Sequence, residues 1–169
     1  MKRILLISDT HGYTDPAVDR HAQNADEIWH SGDIGTLRAA RHFSSLAYFR
    51  AVYGNVDGND LRVEYPENLI FNCEEVKVLM THIAGYPGKW SARVKQLIAL
   101  HQPKLIIAGH SHILKVMPDT ANNALFMNPG AAGNHGFHRV KTMLRFEIEG
   151  LVIKNLSVIE FGNRSSLTS

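Results

Sequence analysis

The residues most suited to take part in chemistry form the stretch Ser8-Asp9-Thr10-His11-Gly12, which directly follows the apolar run 4–7. Four consecutive apolar residues predict a buried parallel strand, because an exposed antiparallel strand would alternate. In extended backbone, side chains two residues apart point the same way at about 6–7 Å, so Asp9 and His11 can reach one ion. A carboxylate and an imidazole together suit a divalent transition metal. A capping aspartate beside a solvated histidine is the alternative explanation of this stretch alone.

Polar donors recur where other predicted strands end. Asp33 follows a strand at 28–30 and Asn55 follows a strand at 47–52. Parallel strands end at one edge of a sheet, and open α/β sheets bind ligands there. With the histidines that follow two later strands, the donors collected at strand ends are Asp9, His11, Asp33, Asn55, His82, His110 and His112.

Seven oxygen and nitrogen donors exceed what one tetrahedral ion can use. They fit two ions about 3.5–4 Å apart that share a carboxylate, the arrangement that hydrolyses phosphate esters. Two divalent ions outweigh the charges of Asp9 and Asp33, so the site would attract an anionic phosphate. Asn55 would be a neutral ligand that leaves the ions strongly Lewis acidic. These residues predict a metal-bridging hydroxide that attacks phosphorus without a covalent enzyme intermediate.

Capping residues and hydrophobic spacing predict the elements that position the donors. Three helices should begin after a capping residue, at Asp15 with a run to about 24, at Thr36 to about 45, and at Ser91 to about 102. Three antiparallel pairs are expected from hairpin spacing, 69–71 with 76–80, 114–118 with 124–128, and 144–148 with 152–159. The first half is therefore βαβαβ and the second mostly β. The α/β domain is expected to span residues 1–162, followed by a flexible tail at 163–169.

Composition narrows the class of protein. The 169 residues correspond to about one domain, and the net charge of +2 comes without the basic stripe expected of a nucleic-acid-binding protein. No apolar run reaches the roughly 18 residues of a membrane span. Cys73 is the single cysteine and stands beside acidic residues, so an inert thiol with a raised pKa is expected. These features favour a cytoplasmic protein, and they leave homo-oligomer formation open.

The ordered motifs resemble those of the calcineurin-like metallophosphoesterase superfamily and, within it, the small prokaryotic phosphodiesterases. The resemblance covers residues 3–160, and five spaced motifs together are far more specific than any one of them. The corresponding segments are the D-x-H at 9–11, the G-D at 32–33, the G-N at 54–55, the lone His82 and the G-H-x-H at 109–112.

This resemblance implies a four-layer αββα sandwich of two mixed β-sheets. It also implies two divalent transition ions, with manganese as the first expectation and iron, nickel or zinc as alternatives. One ion would be held by Asp9, His11, Asp33 and His112, and the other by Asp33, Asn55, His82 and His110. Asp33, Asn55 and His110 would act in catalysis by positioning metal and phosphate. The implied substrate is a small phosphodiester, with a cyclic nucleotide as one candidate.

The sequence departs from the superfamily pattern at two places. Many members carry a histidine after the G-N asparagine, where it protonates the leaving group, but this chain has Val56. Asp57, which usually orients that histidine, is then expected to be only a turn residue. The N-P-G-S of the subfamily is replaced by N-P-G-A at 128–131. His135 and His138 are candidates for bordering the phosphate pocket or supplying a proton, and a solvated loop is the alternative.

Two other functions remain open at this point. The scaffold subunit of retromer resembles this fold with an altered metal site and works through its surfaces, so a non-catalytic binding module is one alternative. A phosphomonoesterase on the same fold is the other, and Val56 disfavours it. The presence of Asp33, the expected bridging ligand, favours the enzyme over the scaffold.

Overall fold

The first of two five-stranded sheets is built from the two ends of the described chain, within residues 2–51 and 140–163. The structure is a computed structural model that describes residues 1–163. Three parallel strands, joined by two helices, form the middle and one edge of this sheet, and an antiparallel pair extends it on the other side. The strands of this sheet are β1 (Lys2–Ile7), β2 (Glu27–His30), β3 (Tyr48–Ala51), β9 (Val140–Glu149) and β10 (Val152–Asn163), and the connecting helices are α1 (Pro16–Ala22) and α2 (Leu37–Leu46). The strand order across the sheet is β10-β9-β1-β2-β3.

The second sheet is built from the middle of the chain. Its three central strands run parallel and each edge strand is antiparallel to its neighbour, so both sheets are mixed, as the resemblance implies. The strands of this sheet are β4 (Asn68–Cys73), β5 (Val76–Thr81), β6 (Leu105–Ile107), β7 (Leu114–Asp119) and β8 (Ala124–Pro129), in the order β4-β5-β6-β8-β7. Helix α3 (Asn59–Glu64) precedes β4, and helix α4 (Ala92–His101) connects β5 to β6.

Strand β1 shows how the layers form, because its side chains alternate between two cores. Ile4 and Leu6 pack between the sheets with residues such as Val78 of the second sheet. Leu5 and Ile7 face the other way, in a cluster that includes Phe43 of α2. A third cluster packs α4 against the outer face of the second sheet. The four-layer αββα sandwich is thereby confirmed.

The predicted helix starts agree with the structure. Asp15, Thr36 and Ser91 each cap a helix by accepting a backbone N–H two or three residues along. The sequence prediction missed α3, which follows directly on the 54–59 turn. Its capping position is Gly58, which has no side chain to signal a helix start.

The carboxyl-terminal part is described only as far as the end of β10. Asn163 ends that strand, and the remainder of the predicted tail, 164–169, lies outside the described residues. Within residues 1–163, no helix is long and apolar enough to cross a membrane. Cys73 is buried, and burial raises the pKa of its thiol to about 11, as expected for an inert cysteine.

Candidate metal centre

The loops after β1 and β2 lie side by side and carry the two candidate carboxylates. The Asp9 N–H donates to the Gly32 carbonyl oxygen at 3.0 Å, and the His11 N–H donates to that of Asp33 at 3.0 Å. These bonds continue the pairing of the two parallel strands beyond their ends. Asp9 and Asp33 are both buried and are held beside each other at the sheet edge, as the strand-end pattern predicts.

The extended backbone expected at Asp9 and His11 is wrong, because β1 ends at Ile7 and both residues are left-handed. Nine non-glycine residues in the described chain have positive φ, and five of them are predicted ligands. A left-handed conformation costs an L-residue about 1–2 kcal/mol, and such residues concentrate where function requires a fixed geometry. The five are Asp9 (φ 54°), His11 (48°), Asp33 (54°), His110 (67°) and His112 (57°).

One group of candidate ligands consists of Asp9, His11 and His112, which offer atoms that all lie within 4.8 Å of one another. The Nε2 atom of His112 is 3.1 Å from Oδ1 of Asp9. The other oxygen of Asp9 accepts the backbone N–H of His110 at 3.1 Å. Asp9 thus contacts the G-H-x-H loop and keeps one oxygen for a ligand.

The second group consists of Asp33, His82 and His110, again with atoms within 4.8 Å. The His82 Nε2 atom lies 3.2 Å from Oδ2 of Asp33 and 3.8 Å from Oδ1 of Asp9. Because His82 contacts the carboxylates of both groups, the two groups are adjacent. The tertiary structure therefore collects donors from both sheets into one double cluster.

The hydrogen bonding of these side chains fits divalent cations. Within residues 1–163, Asp9 Oδ1, His11 Nε2 and His82 Nε2 are buried atoms that make no hydrogen bond. A buried polar atom without a partner costs about 1–3 kcal/mol, so three in one cluster fit a site that could bind cations. His82 also donates from Nδ1 to the Ser31 carbonyl at 2.8 Å, which leaves Nε2 free to bind a metal when the ring is neutral.

Burial and the charges within the cluster shift three pKa values. Burial lowers the pKa of His11. Burial also acts to lower the pKa of His82, but its 3.2 Å contact with the Asp33 carboxylate and the charge of Asp9 outweigh it and raise that pKa. For Asp33, burial acts to raise the pKa, but the contact with His82 lowers it. A cation at His82 Nε2 would replace the proton that these carboxylates favour, so binding is expected to release protons.

Two motif glycines leave room for the ligands. A Cβ atom on Gly54 would lie 2.0 Å from Oδ1 of Asp33, and one on Gly32 would lie 2.5 Å from Nδ1 of His82. Both distances are far below van der Waals contact. The glycines of the G-D and G-N motifs are thus explained by the close approach of the ligands' side chains.

The remaining predicted site residues lie around the double cluster. Asn55 is exposed and lines a recess of about 170 Å³ together with His82. The ring of His135 is 5.7 Å from that of His11. The ring of His138 is 5.2 Å from that of His112, and its Nε2–H donates to the Gly133 carbonyl at 2.9 Å. The loop with His135 and His138 therefore lies beside the first group of ligands.

Asp57 has a larger role than the turn residue that the sequence suggested. It is buried, and its carboxylate accepts backbone N–H groups from Gly54 at 2.8 Å, Gly35 at 2.7 Å and Ile34 at 3.1 Å. These bonds tie the loop of Asn55 to that of Asp33. This role of Asp57 depends on two loops being neighbours in the fold. The sequence pattern does not show that proximity, so it gave no signal for the role.

His30 is a second residue whose role the sequence did not show. Its Nδ1 atom accepts the Gly32 N–H at 3.2 Å, so its Nε2–H donates to the Thr10 hydroxyl at 2.8 Å, which donates to the Ile34 carbonyl at 3.1 Å. Burial lowers the pKa of His30 to about 3. The neutral ring therefore links the two carboxylate loops from behind.

Known structures share this fold. A predicted phosphoesterase from Streptococcus pneumoniae is 22% identical with a TM-score of 0.68, covering 95% of this chain and 98% of its own. Vps29 from Entamoeba histolytica, solved with Zn²⁺, is 17% identical to this chain with a TM-score of 0.69. The match covers 95% of this chain and 99% of Vps29. Vps29 from Chaetomium thermophilum, in complex with a cyclic peptide, is 11% identical with a TM-score of 0.69, covering 98% of each chain.

Sequence comparison supplies the family. A search of curated proteins gave no match. Residues 1–151, which include all seven candidate ligands, match the calcineurin-like phosphoesterase superfamily domain. The family match, the two mixed sheets and the double cluster of donors agree with one another, and the chain belongs to the calcineurin-like phosphoesterase superfamily.

Proposed function

We propose that this protein is a phosphodiesterase that depends on two divalent metal ions. The observation that carries the proposal is the adjacency of the two ligand groups, with three buried donor atoms that make no hydrogen bond within the described chain. Such a site fits bound cations, and bound cations would attract an anionic substrate. A phosphate ester meets that requirement, and the family match is to phosphoesterases.

The chain would bind the ions with the ligands that its motifs imply. One ion would be held by Asp9, His11, Asp33 and His112, and the other by Asp33, Asn55, His82 and His110. The ions would supply Lewis acidity and a water activated for attack on phosphorus. Manganese is the metal we expect, with iron, nickel or zinc as alternatives, because nitrogen and oxygen ligands suit all four.

The protein's own residues would set the preference for diesters with good leaving groups. Residue 56 is an exposed valine, and its backbone N–H donates to Asp33 Oδ1 at 3.1 Å. The backbone of Val56 therefore supports a candidate ligand, but its side chain has no proton to give to a leaving group. His135 and His138 are alternative donors, on the loop beside His11 and His112. The substrate would be a small phosphodiester in the cytoplasm, and no membrane or nucleic-acid partner is part of the proposal.

Metal analysis and chelation test this proposal together. The manganese-saturated protein should hold about two ions per chain by elemental analysis, and one ion per chain would overturn the dinuclear site. Hydrolysis of bis(p-nitrophenyl) phosphate should be lost on chelation and return with added manganese. Activity that survives exhaustive chelation would contradict the metal mechanism. A metal-loaded protein without esterase activity would favour a non-catalytic scaffold, the alternative that the shared fold of Vps29 keeps open.

A further inference from the structure

A recess opens beside the second ligand group, on the side of the G-H-x-H loop. Its volume is about 310 Å³, at the lower end of the range of small-molecule sites. Gly109 and His110 form part of its wall, so it is continuous with the candidate metal centre. A recess of this size accommodates a ring system.

The walls of this recess are unusually apolar for a surface next to charged ligands. Ile83 directly follows His82, and Ile113 directly follows His112. Both line the recess, and they are 41% and 61% exposed. Buried Phe126 and the half-exposed ring of Tyr86 complete the apolar surface. Each of two ligand loops therefore places an exposed isoleucine beside the site where phosphate would bind.

One edge of the recess carries positive charge. The Lys115 Nζ atom lies 4.4 Å from the centroid of the Tyr86 ring, and Lys115 also lines the recess. Lys89 Nζ lies 5.9 Å from the same centroid. Two ammonium groups beside an apolar recess suit a ring that carries hydrogen-bond acceptors, attached to an anionic ester.

The neighbouring recess beside Asn55 offers a different surface. Its cations are already engaged, since Arg62 donates to the Asn55 and Asp57 carbonyl oxygens and Arg93 donates to the Ile83 carbonyl. Asn55, which directly precedes residue 56, lines this second recess, whereas the apolar recess is lined by the loops after His82 and His110. The resemblance to related enzymes places the leaving group on the side of residue 56. The apolar recess therefore suits the ester group that is retained on phosphorus.

We infer that this recess is a subsite for an aromatic ring on the retained ester group of a phosphodiester, bound between Ile83, Ile113 and Tyr86. The inference rests on the proposed phosphodiesterase function and specifies its substrate class. The ring has two chemical sources, a simple aryl ester and a nucleobase, which share the planar shape that the recess fits. Burial of the ring against the isoleucines would contribute to binding the diester rather than to the chemical step.

Diesters with one common leaving group test the subsite by kinetics. Methyl, phenyl and thymidine 5′ esters of p-nitrophenyl phosphate all release p-nitrophenolate, so the ratio of kcat/KM values between them reports the retained group. Ile113→Asn should lower the phenyl-to-methyl ratio about tenfold relative to wild type, mainly through KM. Comparing variant with wild type cancels the intrinsic reactivities of the esters. Leu151→Asn is the matched control, because Leu151 is 66% exposed in the β9–β10 turn and should leave the ratio unchanged.

The outcomes of this kinetic test separate the two sources of the ring. A fall in the thymidine-to-methyl ratio that matches the fall for phenyl identifies the subsite as one that accepts nucleobases. A fall for phenyl alone identifies simple aryl esters. Ratios that stay within twofold of wild type for both esters overturn the subsite.

A binding measurement keeps the subsite testable apart from catalysis. In the zinc-loaded protein with ¹³C-labelled isoleucine methyl groups, phenylphosphonate should shift the signals of Ile83 and Ile113, and methylphosphonate should not. If no diester is hydrolysed but the ring-specific shifts occur, the proposed activity fails and the subsite stands. If hydrolysis occurs and both phosphonates shift the same signals equally, the activity stands and the subsite is overturned.

Discussion

The two ends of strand β2 bury polar side chains in opposite ways. At its start, the carboxylate of Glu27 accepts the Trp29 Nε1–H at 2.8 Å and the Arg50 Nε–H at 2.7 Å. Beyond its last residue lies Asp33, which faces His82, whose buried Nε2 makes no hydrogen bond in the described chain. Both ends are shielded from water. At the start of β2, the protein itself supplies the hydrogen-bond partners of Glu27. At the other end, the described residues leave His82 Nε2 without a hydrogen-bond partner.

This difference distinguishes a structural polar cluster from a binding site. Burying a charge is costly unless partners compensate it, so a cluster without enough partners persists only if a ligand supplies them. Left-handed backbone conformations agree with this distinction, since Asp33 has a φ of 54° and Glu27 lies in regular strand. Substitutions at the two ends should therefore affect different properties of the protein.

The largest effect is expected for Asp33→Ala at the ligand end. Because Asp33 is the expected ligand of both ions, its loss should remove both and lower diesterase activity by at least about a thousandfold, beyond the 10–100-fold typical of residues that only support ligands. Elemental analysis and bis(p-nitrophenyl) phosphate hydrolysis measure the two losses. A folded variant that retained two ions would show that Asp33 is not a ligand of either ion.

A gain of function should follow from Val56→His at the same end. A general acid is worth about 10² to 10⁴ in rate only where the leaving oxygen needs a proton. Asp57 already accepts three backbone N–H groups and would hold the new imidazole weakly, so we expect about a hundredfold gain, confined to poor leaving groups. The dependence of log kcat/KM on leaving-group pKa, across substituted phenyl methyl phosphates, should be steep in wild type and shallower in the variant.

Val63→His is the control for this gain, because Val63 is exposed on α3. It should leave the slope of the leaving-group plot unchanged. A shallow slope in wild type, with chemistry limiting the rate, would mean that another residue is the acid. Alanine substitution of His135 and His138 in turn would then identify it.

At the satisfied end, Glu27→Ala should lower stability without changing metal content. Arg50 and Trp29 would lose their acceptor, which should lower the free energy of unfolding by about 2 kcal/mol. Urea unfolding measures this loss, and elemental analysis should still give about two ions per chain. Trp29→Phe removes one of the two hydrogen bonds and also leaves a cavity at a fully buried ring, so it should cost at least as much. Loss of metal from a folded Glu27→Ala variant would show that the two ends are coupled.

The smallest effect is expected at an exposed ion pair. Arg3 donates to Asp26 at 2.8 Å, and this hydrogen bond lowers the pKa of Asp26 to about 2. Since the folded pKa lies below the unfolded one, the pair stabilises the fold above about pH 4 and loses its contribution as the pH falls towards 2. Asp26→Asn should therefore lower the Tm by about 1 °C at pH 6. The difference should shrink at lower pH, and a difference that grew on acidification would contradict the assigned shift.

The helix starts and the hairpins followed from local signals in the sequence. Asp15, Thr36 and Ser91 cap the helices that they were predicted to cap, because a capping bond depends on residues two or three positions away. The antiparallel pair of β7 and β8 likewise agrees with its hairpin spacing. α3 escaped prediction because its capping position is a glycine. Local rules work where the interacting partners are close in the chain.

The donors and their order could be read from the sequence, since D-x-H, G-D, G-N and G-H-x-H each depend on a few adjacent residues. Their arrangement in space depends on the tertiary fold. It brought His82 from the second sheet to Asp9 and Asp33 of the first, and it gave Asp57 and His30 their supporting contacts. It also placed Ile83 and Ile113 on one recess. The physical reason is that these contacts join residues far apart in the chain, and only the packing of two sheets sets their distances.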